Sequence, residues 1–560
     1  MHKRPYVRCP HLSQTMFICV LFSFAAIIMK VAVIGAGASG LTAIKCCLDE
    51  GLEPTCFERS DDIGGVWRFT EHVENGRASI YESLVSNTSK EMMCYSDFPM
   101  PDTFPNFLNH TKMMDYYRMY AETFNLLKYI QFKTLVCNIR KHPSFQSTGQ
   151  WEVTIDKDGK QQTSTFNFVM ICTGHYSDPY YPLDSFPSIQ QFQGQYFHSR
   201  DFKRSDGYKG KKVLIIGTGS SACDIAVELS RTAAQVFLST RKGTWVTSRT
   251  SDKGYPWDAC LFTRFQEWFK NKLPSSIVLW WTEKKINMWF QHANYGLQPT
   301  KSSQFRELVY NDELLSRITC GSVLVKSAVT EITATSVEFD DETTEKDIDV
   351  VIFATGYIYN FPYFDEPIIK ADNSINLYRN IFPASLKKPT LGFIGLIRPL
   401  GPFMSVAEVQ ARWVTRVFKG LCNFPPQEAI MKDIAKKKEN FIKRFGKPQQ
   451  SNSLTMEYIE YLDELTSDIG AKPNILSFLL SDPALGWMLY FGPCTPAQYR
   501  LTGPGKWRHA RNHIMTTWDR IVKPTRTRVV KKVEKSIAIT FLLSAVCALT
   551  LLLAALMYQC

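Results

Sequence analysis

No two of the fifteen cysteines stand three residues apart, so the sequence contains no Cys-x-x-Cys. That absence removes the common zinc ligand pair and the dithiol of a redox-active turn. An odd number of scattered cysteines gives no disulfide framework either. Adjacent Cys46 and Cys47 read as small buried thiols on a helix, and no metal site is expected. Basic stretches interleaved with aromatics are also missing, which speaks against a nucleic-acid partner despite a net charge of +12. Much of that excess lies in residues 506–535, which hold ten Lys/Arg against Asp519 and Glu534. With 45% hydrophobic and 21% charged residues, the chain can build ordinary cores, and 560 residues make room for two to four domains.

Long apolar runs are scarce. Ile537 to Met557 gives twenty-one residues without a charge, eleven of them Leu, Ile, Phe or Val. That is long enough to cross a bilayer, and only Tyr558, Gln559 and Cys560 follow. The run reads as a transmembrane tail anchor. Arg526, Arg528, Lys531, Lys532 and Lys535 before it keep the preceding domain on the cytoplasmic side. Met16 to Met29 is apolar too but short for a span, and Lys3, Arg4 and Arg8 precede it as in a signal peptide. Export would oppose the charge bias of the tail. Residues 1–28 are therefore read as an extension, with Met29 as an alternative start.

What is present is one glycine pattern, twice. Lys30 to Ile34 is a β-branched run that ends in Gly35-Ala36-Gly37-Ala38-Ser39-Gly40, and a helical pattern follows from Leu41 to Leu48. Strand, Gly-x-Gly-x-x-Gly and helix in this order begin a dinucleotide-binding fold. Gly35 makes the turn, Gly37 admits a pyrophosphate and Gly40 lets helix and strand close up. The helix N-terminus offers free N–H groups to the phosphates. The next strand, Pro54 to Phe57, ends in Glu58, an acid placed to hold an unphosphorylated ribose. Gly64, Gly65 and Trp67 follow; the glycines permit close approach to a cofactor and Trp67 can cover it.

Strands are expected at 130–132, 151–155 and 168–172, the last ending in Thr173-Gly174 before a proline-rich hinge. Then Lys212 to Ile216 runs into Gly217-Thr218-Gly219-Ser220-Ser221-Ala222 and a helix from Cys223 to Leu229. The following strand, 235–240, ends in Arg241-Lys242 instead of an acid. An arginine there pairs with a 2′-phosphate. The first fold thus suits FAD and the second NADPH. Residues 255–315 read as helical and aromatic-rich. The run Asp349 to Phe353, ending in Ala354-Thr355-Gly356-Tyr357, is expected to return the chain to the first domain and the flavin. The fold class is α/β: two Rossmann-like domains, one for FAD over 29–180 and 345–470, one for NADP over 190–335. A basic region at 471–535 and the anchor at 537–557 follow.

More specific residues narrow the class. Phe192-x-Gly194-x-x-x-His198-x-x-x-Phe202 resembles the identifying motif of the flavin-containing monooxygenases of the animal microsomal type. So do Ser86-Asn87-Thr88-Ser89-Lys90-Glu91, Phe353-Ala354-Thr355-Gly356-Tyr357 and Tyr490-Phe491-Gly492-Pro493-Cys494. The resemblance implies that NADPH reduces FAD, that molecular oxygen adds to give a flavin hydroperoxide, and that a soft nitrogen or sulfur of a small amine or sulfide takes the distal oxygen. It implies Asn87 as the active-site asparagine, whose amide both donates and accepts, and Thr355 and Gly356 beside the flavin. His198 reads as structural. It also implies the endoplasmic reticulum membrane, with the catalytic domain facing the cytoplasm; an oligomer is compatible with it. Two departures stand out: Ser220 replaces the usual asparagine and Ala222 the usual third glycine. They keep open an alternative, a weakly coupled or silent member of the family. A flavin disulfide reductase is disfavoured by the missing dithiol.

Overall fold

The structure, a computed structural model, describes residues 28–300, 308–365, 376–445 and 454–528. The expected anchor at 537–557 and most of the 1–28 extension lie outside the described residues. Among those described, no helix is long and apolar enough to cross a membrane.

Taken in chain order, the elements that build the site are β1 (Lys30–Ile34), α1 (Ala38–Asp49), β2 (Glu53–Phe57), β3 (Ile130–Gln131) and β4 (Phe168–Ile171). Then come β5 (Gln195–His198), β6 (Lys212–Ile216), α2 (Ser220–Leu229), β7 (Gln235–Ser239), β8 (Val323–Lys326) and β9 (Val350–Phe353). The last two are β10 (Leu391–Phe393) and α3 (Phe403–Phe418).

These strands form two five-stranded sheets. The first has the order β10-β4-β1-β2-β3, the second β8-β7-β6-β9-β5. Every pairing in both is parallel. A parallel sheet covered on both faces needs near-continuous apolar strands. Val31, Ala32 and Val33 of β1 and Val213, Leu214 and Ile215 of β6 are accordingly fully buried. Helix α3 is buried along most of its length and shares a core with α1 through Val406, Ala407, Val409 and Trp413. An antiparallel sheet (Thr134–Lys141, Trp151–Lys157, Lys160–Phe166) fills the passage from β3 to β4.

One expectation is corrected. The run 350–353 does not return to the first sheet. It pairs in register with β6 (Val213 opposite Val350) and with β5 (Val350 opposite Gln195), inside the second sheet. The boundary placed at 345 therefore cuts a strand from its neighbours, and the chain rejoins the first sheet only at β10. The two crossings lie side by side: Asp178–Pro179 pairs antiparallel with Tyr357–Ile358, and the Tyr180 N–H donates to the Gly356 carbonyl at 2.9 Å. Cys46 and Cys47 are buried on α1 as expected, and burial pushes the Cys46 thiol up to about 12.

Candidate active site

The first glycine turn is tight because three backbones converge on it. Gly35 has φ +98°, and its N–H donates to the Phe57 carbonyl at 2.8 Å. A Cβ on Gly35 would stand 2.9 Å from the carbonyl oxygen of Cys172, at the end of β4. A Cβ on Gly40 would stand 1.8 Å from the Gly35 carbonyl oxygen, so the first turn of α1 cannot carry a side chain there. The Gly64-Gly65 loop closes over this turn: the Gly64 N–H donates to the Ala36 carbonyl at 3.1 Å, and a Cβ on Gly37 would touch Gly65 Cα at 3.4 Å. Trp67 sits half-buried on the single 3-10 turn Gly65–Trp67.

Glu58 is buried. One carboxylate oxygen accepts from the Ala36 N–H at 2.7 Å, and the other from the Ser60 N–H and hydroxyl at 2.8 and 2.7 Å. The acid thus fixes the tip of the glycine turn, and each oxygen has further acceptor capacity. Sequence reasoning missed Gly395. It follows β10, its N–H donates to Gln410 Oε1 at 2.8 Å, and a Cβ there would lie 2.3 Å from Ser39 Oγ on α1. It brings the returning strand against the N-terminus of α1. The contact spans residues far apart in sequence, so no local pattern announces it.

The second turn repeats the geometry, tight at its first glycine and looser at the second and third positions. Gly217 has φ +119°, its N–H donates to the Ser239 carbonyl at 3.0 Å, and a Cβ would meet the Ala354 carbonyl oxygen at 2.5 Å. Ala222 stands where Gly40 stands in the first, and its methyl is fully buried. A Cβ on Gly219 would meet nothing within 4 Å. Ser220 is half-buried and Ser221 exposed at the start of α2. Arg241 is exposed just past β7, and no ion pair holds it among the described residues.

Thr355 and Gly356 lie at the carboxyl end of β9, and their polar atoms are engaged by the crossing. The Thr355 hydroxyl donates to the Tyr180 carbonyl, and the Gly356 carbonyl accepts from Tyr180 N–H and from His198 Nε2, both at 2.9 Å. His198 is fully buried; Nδ1 accepts from the Arg200 N–H at 3.2 Å, so the ring is the neutral Nε2–H tautomer. Burial lowers its pKa to about 4. The ring thus serves as a structural tie between β5 and the crossing.

Asn87 is half-buried on the long segment between β2 and β3 of the first sheet. Its Oδ1 is shielded from solvent and has no hydrogen-bond partner. A buried carbonyl oxygen left without a donor costs roughly 1–3 kcal/mol, so it needs one from elsewhere. No group of three metal-ligating side chains occurs among the described residues.

Two glycine-turn folds, one closed and one open, with an amide left unpaired between them, define a tandem dinucleotide-binding oxidoreductase. The family model "FMO-like: Flavin-binding monooxygenase-like" matches residues 28–560. The chain is 55% identical over 515 residues to Flavin-containing monooxygenase 2 of Homo sapiens, covering 92% of this chain and 96% of that protein. It is 55% identical over 504 residues to Flavin-containing monooxygenase 1 of Sus scrofa, covering 90% and 94%. The S-allyl-L-cysteine S-oxygenase of Allium sativum superposes with a TM-score of 0.60 at 23% identity, over 88% of this chain and 99% of that one. The chain belongs to the flavin-containing monooxygenase family. It is an NADPH- and FAD-dependent monooxygenase.

Proposed function

We propose that this enzyme oxygenates a soft nitrogen or sulfur of small amines or sulfides, with FAD in the first glycine turn and NADPH in the second. The observation that carries the reading is the unpaired Asn87 Oδ1 at the junction of the two folds. Relatives named dimethylaniline monooxygenase [N-oxide-forming] support the nitrogen chemistry. In the balanced reaction NADPH gives two electrons, one oxygen atom joins the lone pair of the substrate, and the other leaves as water. Bound flavin supplies electron transfer and oxygen activation, which explains why no triad or carboxylate pair is needed.

The chain's own part is binding, orientation and exclusion of water. Gly35, Gly37, Gly40, Gly64 and Gly65 let the backbone close into a cradle that would hold the flavin dinucleotide, with Glu58 and Trp67 beside it. Gly217, Gly219, Ser220, Ser221 and Arg241 would hold NADPH, the exposed guanidinium pairing with the 2′-phosphate. The Asn87 amide accepts a hydrogen bond at Oδ1 and offers two N–H donors without changing charge. Attachment to the cytoplasmic face of the endoplasmic reticulum membrane through 537–557 completes the reading, supported by the charge-free run and its basic flank.

The test is an absorbance record of purified protein as NADPH is added in air, with N,N-dimethylaniline or a methyl sulfide present. Flavin bleaching followed by stoichiometric N-oxide or S-oxide is expected. A protein that carries flavin and oxidises NADPH but never transfers oxygen to either class would refute the substrate reading.

A further inference from the structure

The segment Ser86-Asn87-Thr88-Ser89 belongs in sequence to the first unit, yet the second unit grips both of its ends. At one end, Arg249 Nε donates to the Ser86 carbonyl at 3.3 Å. Arg249 is itself fixed: its NH1 and its backbone N–H each donate to Asp312 at 2.9 Å. At the other end, the Ser89 N–H donates to Asp258 Oδ2 at 2.6 Å, while Asp258 Oδ1 accepts from the Ala259 N–H at 2.8 Å. Asp258 is buried and forms no ion pair among the described residues. Burying an unpaired carboxylate is costly, so a residue retained there must return something in position or function. Five residues before Ser86, the Tyr81 hydroxyl also reaches α2 of the second glycine turn and donates to Asp224 Oδ2 at 2.7 Å.

We infer that Asp258 and Arg249 are positioning residues for Asn87, a two-point clamp by which the NADP-binding unit sets where the unpaired amide stands. The inference rests on the assignment of Asn87 to the reaction. Neither residue touches the reacting atoms on this account; both act through the backbone at Ser86 and Ser89. The consequence is that the position of the amide depends on these two side chains, so the fraction of reducing equivalents that ends in product depends on the clamp. With the clamp broken, NADPH oxidation continues and hydrogen peroxide replaces product.

The experiment compares full-length Asp258→Asn, Asp258→Ala, Arg249→Gln and Asn87→Ala, each assayed as flavin-loaded protein. Three readouts are taken: flavin per chain, KM and kcat for NADPH oxidation, and peroxide formed per oxygenated product. Asn at 258 keeps an oxygen for the Ser89 N–H and should stay within about twofold of wild type. Asp258→Ala and Arg249→Gln should retain flavin and raise peroxide per product roughly tenfold, with KM for NADPH little changed. A merely structural role would lower flavin content or all rates together without changing that ratio. If Asn87→Ala uncouples the enzyme but Asp258→Ala and Arg249→Gln stay coupled, the clamp is overturned and the reading of Asn87 survives. If Asn87→Ala itself stays coupled, the role of Asn87 falls, and the clamp with it. Arg249→Gln keeps the proposal falsifiable should Asp258→Ala not fold.

Discussion

The two glycine turns share a motif and differ in tolerance. In the first, a Cβ at the third position would stand 1.8 Å from a backbone oxygen, and a second glycine loop lies over the turn. In the second, the third position carries a real methyl, Ala222, which is buried, and nothing stands within 4 Å of a Cβ on Gly219. A closed cradle suits a cofactor that stays; an open one suits a cosubstrate that enters and leaves at every turnover. The lesson is that Gly-x-Gly-x-x-Gly states a backbone path, while the neighbouring loops decide how much it can vary.

The sharpest way to break this contrast is to exchange the third residues. Gly40→Ala should abolish flavin retention, because the intruding methyl meets backbone and not a yielding side chain. Ala222→Gly should cost no more than about 1 kcal/mol, the usual penalty of glycine in a helix. Flavin absorbance per chain and the melting temperature measure both. A Gly40→Ala protein with full flavin would show that the first turn is not closed.

Acid gives the next largest effect. Burial lowers the pKa of His175, His198 and His292 to about 4 each. A folded pKa below the unfolded value means that stability is present above about 6.5 and lost as pH falls, since the unfolded chain takes protons that the folded one refuses. Each ring should cost roughly 1.4 kcal/mol per pH unit between about 6.5 and 4, with no further loss below. His198 and His292 sit in the second unit, while His175 lies in the first and His513, also lowered by burial, packs against Glu91 of the first. Both halves should therefore lose stability over this window, read as the melting temperature against pH. A melting temperature that does not fall between about pH 6.5 and 4 would show that these rings are not held neutral.

Arg241→Ala tests the second cradle alone. Charge-assisted hydrogen bonds to phosphate contribute about 1.5–3 kcal/mol. NADPH affinity should drop tenfold or more while NADH affinity stays, read by initial rates with each nucleotide; equal losses would remove Arg241 from the site. The smallest effect belongs to Ser220. Ser220→Asn, alone or with Ala222→Gly, adds a side-chain amide at the open cradle. One hydrogen bond of about 0.5–1.5 kcal/mol should lengthen NADP residence some two- to tenfold and lower peroxide per NADPH. An unchanged peroxide yield would mean that the openness of this turn has no bearing on coupling.

Both turns and their strands were legible because a parallel strand buried on two faces must be a continuous apolar run, and the turn after it needs glycine. Which sheet each run joins was not legible. Val350 to Phe353 shows only that it is buried; its partners on β6 were chosen by packing among residues 137 positions away. Greater separations hid Gly395, which meets Ser39, and the grip of Asp258 on Ser89, 169 positions apart. Asn87 was visible only through its resemblance to a family motif, since one polar residue in a loop has no period to betray it. His198, expected to be structural, is so because both ring nitrogens are occupied by backbone.

The paired crossings between the two sheets have an architectural consequence. The chain leaves the first unit at Asp178–Pro179 and comes back at Tyr357–Ile358, and these lie one strand spacing apart, about 4.8 Å. Everything between them is therefore a cassette with adjacent ends. A short splice across the two strands would excise the whole second unit without rethreading the first, leaving a chain that holds one dinucleotide instead of two. Such an insertion point lets a flavin scaffold accept a different reductant module with only two peptide junctions to rebuild.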